Sequence, residues 1–367
     1  MPFLLELAWR DLRAGGRQLW VLAACLVLGV SLVAAGGGLY RQVADGLRDD
    51  ARLLFGGDVE VEYQQPLPAD VLAWVQATQP DAWAALTKAH GAHAETMLLD
   101  RLRKQMDDRG TLDVLRVGLE MLGLKAPLKM AQFKPALAMN PELQARYAAN
   151  RLRVVRQCRT NHDDIIDLVL FLNGIPVATA ELKTDFTQDI NAAVDQYRFD
   201  RLPKPKGKPF AEPLLDFPRG ALVHFAVSNR TVMMTTKLQG PNTYFLPFNL
   251  GDHGAAGNPP NPQGHRTAYL WEQVWQRDSW LEIIARYLVT KRDEKKRITS
   301  ILFPRYHQLD ATRQLVQAVL AEGGLDFWAL AIKPGKPFVF GWLNRPDGSR
   351  ALYMGLPGNP SASFVTF

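Results

Sequence analysis

The sequence predicts an α/β domain built on a mixed sheet, with one apolar helix before it and a partial α/β fragment after it. Three observations predict this. Residues 163–185, DDIIDLVLFLNGIPVATAELKTD, hold two β-rich apolar runs on either side of Asn173-Gly174, a strong hairpin signal. Helical patterns flank the hairpin at residues 94–106 and 187–199. Residues 18–40 form an uncharged stretch of 23 residues, long enough to cross a membrane once.

Composition narrows the classes. Hydrophobic residues are 47% and charged residues 22%, which excludes a wholly disordered or fibrous chain. Two cysteines, Cys25 and Cys158, exclude a disulfide scaffold and a four-cysteine zinc site. The formal charge of +6 leans mildly toward an anionic partner, and it is unevenly spread. Residues 1–77 carry −3, residues 78–323 carry +7 and residues 324–367 carry +2. The basic excess belongs to the middle of the chain.

The apolar stretch comes first. Arg10, Arg13 and Arg17 precede it, so the positive-inside rule puts the N-terminus in the cytoplasm. A signal peptide is the first rival, but its apolar core is usually only ~7–15 residues. A buried soluble helix is the plainer alternative. The run from LAWRDLRAGGRQLW through residues 56–61, GGDVEV, to PLPADVLAWV resembles the N-terminus of FtsX-like ABC-transporter permeases. That resemblance implies one span leading into an extracytoplasmic strand, and it covers residues 1–77 only.

The middle segment carries the chemistry. In the helix over 94–106, Leu98, Leu99 and Leu102 form an apolar stripe. Residues 150–159 partly alternate, with Leu152, Val154 and Val155 apolar, and read as a strand. Within the hairpin that follows sit Asp167, Glu181 and Lys183. Glu181 and Lys183 are two apart and share one face of a strand. The next helix carries Gln196.

An acidic residue followed one hairpin later by Glu-x-Lys is the PD-(D/E)xK nuclease pattern. Two carboxylates suit Mg²⁺, a hard cation that takes oxygen ligands. A lysine beside them orients water or adds positive charge near a phosphate. Spacing alone also fits charged residues that are merely solvated at strand ends. The hairpin imposes a geometric condition. With a strict two-residue loop, Asp167 pairs with Ala180, and Glu181 then lies on the opposite face. A shared site requires an odd count, most simply a three-residue loop with Gly174 left-handed as a bulge.

The segments AANRLRVVRQ, FLNGIPVATAELKTDFTQDINAAVDQYRFDR, ALVHFAVSN, FLPFNLGDHGAAGNPPNPQGHRTAYLWEQVW and SILFPRYHQLDATRQLV resemble, in order, the N-terminal region of type I restriction enzyme R subunits. The resemblance spans roughly residues 79–323. It implies a RecB-like PD-(D/E)xK nuclease domain with Asp167, Glu181 and Lys183 at the catalytic positions, and Mg²⁺ on Asp167 and Glu181. Gln196 matches the family's glutamine on the next helix, but the tyrosine often found four residues later is Asp200 here. Glu95 is a further metal-side carboxylate candidate, though a solvated helix face is its plainer reading. Gln308, in FPRYHQLDA, matches the family's adenine-sensing glutamine; an ordinary helix start is the alternative. The implied partners are DNA and the methylation and specificity subunits.

ATP is the family's second cofactor. Its phosphate loop, G-x4-G-K-[ST], does not occur in the sequence: Lys336 follows Gly335, but Pro337 comes next. His253, His265 and His307 are too scattered for a local zinc cluster. Lys204, Lys206 and Lys208 lie in a Pro-rich loop suited either to phosphate contacts or to plain solvation.

In the last segment, GLDFWALAIKPGKPFVFGWL and GLPGNPSASFVTF resemble two motifs of molybdopterin molybdenumtransferase. Lys333 and Lys336 match one, and Gly355, Pro357, Gly358, Asn359 and Pro360 match the other. Forty-four residues are too few to bury a useful core, so a poorly packed fragment is expected.

The chain therefore reads as a composite with boundaries near 77 and 323. Its functional reading is the Mg²⁺-dependent DNA endonuclease domain of a type I restriction-modification R subunit, without an intact ATPase motor. The alternatives are a membrane-anchored permease fragment reaching the membrane through residues 18–40, and a non-functional chimeric chain. The location is cytoplasmic for the nuclease and the inner membrane if the first helix inserts.

Overall fold

The computed structural model describes residues 67–135, 140–184, 189–252, 255–321, 325–330, 338–344 and 350–355. The span at 18–40 lies outside them. Among the described residues, no helix is long and apolar enough to cross a membrane.

The chain divides into two compact units, one ending at Arg305 and the other beginning at Tyr306. The first opens with helices. Helix α1 (Pro68–Thr78) starts on proline, whose fixed φ suits the first helical position, and buries Val71, Trp74 and Val75 at helical spacing. Helix α2 (Pro80–His90) repeats the proline start. Helix α3 (Ala94–Arg109) buries Leu98, Leu102 and Met106 and runs three residues past the predicted end. Gly110, at φ +82°, then turns the chain into α4 (Thr111–Val117). Helix α5 (Pro141–Ala148) is capped by Asn140, whose side chain accepts from the Leu143 N–H.

A six-stranded mixed sheet follows, in the order β1 (Leu152–Arg159), β2 (Ile165–Leu172), β3 (Ile175–Leu182), β4 (Val223–Val227), β5 (Val232–Thr235) and β6 (Leu246–Pro247). All neighbours are antiparallel except β3 and β4, which are parallel. A parallel pair needs a crossover. Here it contains α6 (Ile190–Asp195), capped by the Asp189 side chain, and a π-helical turn over Gln196–Asp200. The prediction of one helix over 187–199 is corrected accordingly; residues 185–188 are outside the described set.

Both faces of the central strands are covered, which is why β3 and β4 read as near-continuous apolar runs. On one face Val169, Phe171 and Ala226 pack with Ala193, Val194 and Tyr197 of the crossover. On the other, Phe225 meets Phe248, Trp275, Trp280 and Phe303 at ring separations of 5.6–6.4 Å. Helix α7 (Arg277–Glu282) and the antiparallel pair β7 (Val289–Arg292) and β8 (Ile298–Leu302) complete this unit.

Helix α1 belongs structurally with this sheet, although position 77 falls within it. The Leu67 N–H donates to the Gly174 carbonyl at 2.8 Å. Asp70, almost fully buried, accepts from Arg151 Nη1 at 2.9 Å and from Arg153 Nε at 2.6 Å. The Trp74 indole donates to the Lys129 carbonyl at 2.6 Å.

The second unit holds helix α8 (Tyr306–Ala321) and an antiparallel meander of β9 (Leu325–Leu330), β10 (Phe338–Asn344) and β11 (Arg350–Gly355). Gly355 closes β11, whereas Lys333, Lys336, Pro357, Gly358, Asn359 and Pro360 lie outside the described residues.

Candidate active site

The site begins at the hairpin. Its loop is two residues, Asn173 and Gly174, with Leu172 paired to Ile175. Both loop residues are left-handed, at φ +50° and +81°, as a hairpin turn matching the strand twist requires. The Asn173 side chain holds the turn from beneath. Its Oδ1 accepts from the Arg151 N–H at 2.7 Å, and its Nδ2 donates to the Met130 carbonyl at 2.9 Å.

The predicted three-residue loop is therefore wrong, yet its purpose is met elsewhere. The register shifts inside the hairpin. Phe171 pairs with Pro176, but Leu170 pairs with Ala178, so Val177 is an extra residue. Downstream of that bulge, Leu168 pairs with Ala180, which sets Asp167 opposite Glu181. The two carboxyls thus share one face, the face covered by the crossover. Gly174 is left-handed as predicted, but the bulge lies three residues further on.

Asp167 lies near enough to Glu181 for its charge to act on the Glu181 carboxyl. Asp167 Oδ2 accepts from the Leu182 N–H at 2.8 Å. Glu181 is fully buried. Its Oε1 accepts from Arg201 Nε at 2.9 Å, while Oε2 is buried with no hydrogen-bond partner among the described residues. Burial pushes the Glu181 carboxyl well above its ordinary range, the Asp167 charge adds to this, and Arg201 opposes it.

Beneath the pair lies a buried polar chain. The Thr179 hydroxyl is 2.8 Å from the Tyr197 hydroxyl and 2.8 Å from His224 Nδ1. Burial drives the His224 pKa down to about 3, so the ring is neutral. Burial, then the Glu181 charge, raises Tyr197.

The other predicted residues fall in different places. Lys183 follows β3 directly, and its N–H donates to the Val227 carbonyl at 2.8 Å, extending the parallel ladder beside the pair. Gln196 opens the π turn, with its Oε1 buried and without a hydrogen-bond partner among the described residues. Glu95 is exposed on the first turn of α3. Gln308 is exposed on α8, in the second unit. Lys204, Lys206 and Lys208 are exposed.

Arg201 went unnoticed in the sequence. It ends the π turn, its N–H donating to the Gln196 carbonyl at 2.8 Å. One residue more per turn rotates it by roughly 100° from where an α-helix would point it. The only local signal was its place five residues after Gln196.

Among the described residues no group of three or more His, Cys, Asp or Glu side chains gathers for a metal. Two carboxylates are nonetheless the donor set Mg²⁺ takes when water and substrate phosphate fill its other positions. Glu181 Oε2 belongs to that set, and its burial without a hydrogen-bond partner among the described residues fits a cation.

Two comparisons with known proteins bear on this arrangement. A stretch of 60 residues is 45% identical to the molybdopterin molybdenumtransferase of Haemophilus influenzae. That stretch is 16% of this chain, and the chain spans 13% of that protein's length. Residues 140–243 match the family described as type I restriction enzyme R protein N terminus, and Asp167, Glu181, Lys183, Gln196 and Arg201 all lie inside that match.

Proposed function

We propose that the unit ending at Arg305 is the DNA endonuclease domain of a type I restriction R subunit, hydrolysing phosphodiesters with Mg²⁺. The observation that carries this reading is the Val177 bulge, which sets Asp167 across from Glu181, whose Oε2 is buried without a donor among the described residues. Asp167 and Glu181 would hold the ion. When bound, Mg²⁺ supplies an acidified water and offsets charge on the phosphoryl oxygens. Lys183, two residues after Glu181, would add positive charge beside the scissile phosphate. Gln196 would orient substrate or water through its amide.

The match at residues 140–243 supports DNA as substrate and the methylation and specificity subunits as partners. That setting is cytoplasmic. The sequence contains no Gly-Lys-Ser/Thr phosphate loop, so hydrolysis is proposed without ATP-driven translocation. The molybdopterin molybdenumtransferase match is too short to support that activity.

The full chain, incubated with supercoiled plasmid and Mg²⁺, is expected to nick it. Lys183→Ala is expected to lower the rate at least 100-fold while leaving circular dichroism unchanged. Equal nicking by both proteins rejects the assigned site.

A further inference from the structure

We infer that Arg201 is a positioning residue that selects which oxygen of Glu181 is offered to a cation. This rests on the carboxylate-pair reading above.

The guanidinium spans three acceptors. Nε donates to Glu181 Oε1 at 2.9 Å, Nη2 donates to the Ile165 carbonyl at 2.7 Å, and Nη1 lies 3.6 Å from Asp164 Oδ1. It is only 12% exposed, and its Glu181 partner is 0% exposed. Ordinary surface ion pairs are wet and loosely held; this one is neither. The rigid planar fork ties the start of β2, at Ile165, to the end of β3, at Glu181. With Oε1 held by Arg201, Oε2 is the Glu181 oxygen left without a hydrogen-bond partner among the described residues. The π turn supplies the reach, since Arg201 is bonded back to Gln196 across it. The same turn thus starts at Gln196 and ends at the residue that holds Glu181.

Ligand-orienting partners of this kind typically change metal affinity 10–100-fold when replaced. Arg201→Lys keeps the charge but loses the fork. Arg201→Gln keeps a donor but loses the charge. Binding of Mn²⁺ to the full chain, followed by the electron paramagnetic resonance signal of the free ion, separates the roles. Asp167→Asn and Glu181→Gln serve as references. Both references are expected to weaken Mn²⁺ binding at least 10-fold. Arg201→Lys, folded by circular dichroism, is expected to weaken it 10–100-fold, and Arg201→Gln to do the same.

Unchanged or tighter Mn²⁺ binding by a folded Arg201 variant, alongside weakened references, overturns the role of Arg201 and leaves the carboxylate pair standing. Unchanged binding by the two references overturns both. If Arg201→Lys does not fold, Arg201→Gln decides, and loss of fold in both variants counts against a positioning role and for a purely structural one.

Discussion

Replacing Glu181 with Gln should make the metal-free protein more stable. Glu181 is fully buried, lies opposite Asp167 across the strand pair and carries one oxygen with no donor among the described residues. Gln keeps the shape. Its Oε1 can still accept from Arg201, while its amide can donate to Asp167 in place of the carboxyl that repels it. A hydrogen bond to a charged group contributes about 1.5–3 kcal/mol. The Arg201 hydrogen bond loses its charge assistance, so this is an upper bound: with each kcal/mol shifting Tm by about 2–4 °C in a unit of this size, Glu181→Gln should gain up to about 12 °C at pH 8 in chelator.

The sign of the pH dependence follows from burial. The folded-state Glu181 pKa is raised, so the folded chain binds the proton more tightly than the unfolded chain. Stability is full below the ordinary carboxylate range and falls as pH rises toward the raised value. The advantage of Glu181→Gln should therefore shrink at pH 4. Millimolar Mg²⁺ should reverse the order, because an ion that binds only the folded wild type adds RT ln(1 + [L]/Kd) to its stability. Thermal unfolding at two pH values, with and without Mg²⁺, tests all three statements. Wild-type protein as stable as Glu181→Gln at pH 8 in chelator would refute the unpaired-carboxylate reasoning.

Two further outcomes follow from the same sheet. His224 is held neutral with a pKa of about 3, so wild-type stability should fall by roughly 1.4 kcal/mol per pH unit below about 6.5, and His224→Asn should flatten that slope in urea titrations. An equal slope in both proteins removes His224 as the cause. At Gly174, an added Cβ would lie 2.6 Å from the Leu67 carbonyl oxygen and 2.9 Å from Val71 Cγ2, on a backbone at φ +81°. Gly174→Ala should cost at least about 1–3 kcal/mol from the backbone alone, and an unchanged melting temperature would show that the turn and α1 are not in contact.

Much of the site was legible because its signals are local. Asn173-Gly174 marks its own turn by tolerance of positive φ, and Asp167, Glu181 and Lys183 stand out as charges in an apolar hairpin. The required parity was legible too, since side chains alternate along a strand. The device that meets it was not. Val177 sits in IPVATAEL, where Pro176 before it is compatible with a bulge or simply with a strand start; the place of the bulge is fixed by pairing with β2 on one side and β4 on the other. Arg201 was hidden for a related reason. A helical reading of residues 187–199 stops before it, and only the π turn aims it at a carboxylate 20 positions earlier.

Helix α1 shows how far such long-range terms reach. The composite reading puts a boundary near residue 77, yet Asp70 binds Arg151 and Arg153, 81 and 83 positions away, and the Leu67 N–H donates to the Gly174 carbonyl. A buried carboxylate between two guanidiniums is costly to break from either side. The hairpin turn is consequently braced by α1, and the turn together with the Val177 bulge sets the register that places Asp167 opposite Glu181. Geometry at the carboxylate pair thus depends on residues 67–78 as well as on those matched at 140–243. A chain cut at residue 79 would keep every candidate site residue while losing the brace beneath their hairpin, so sequence likeness alone is a poor guide to the smallest piece able to hold the site together.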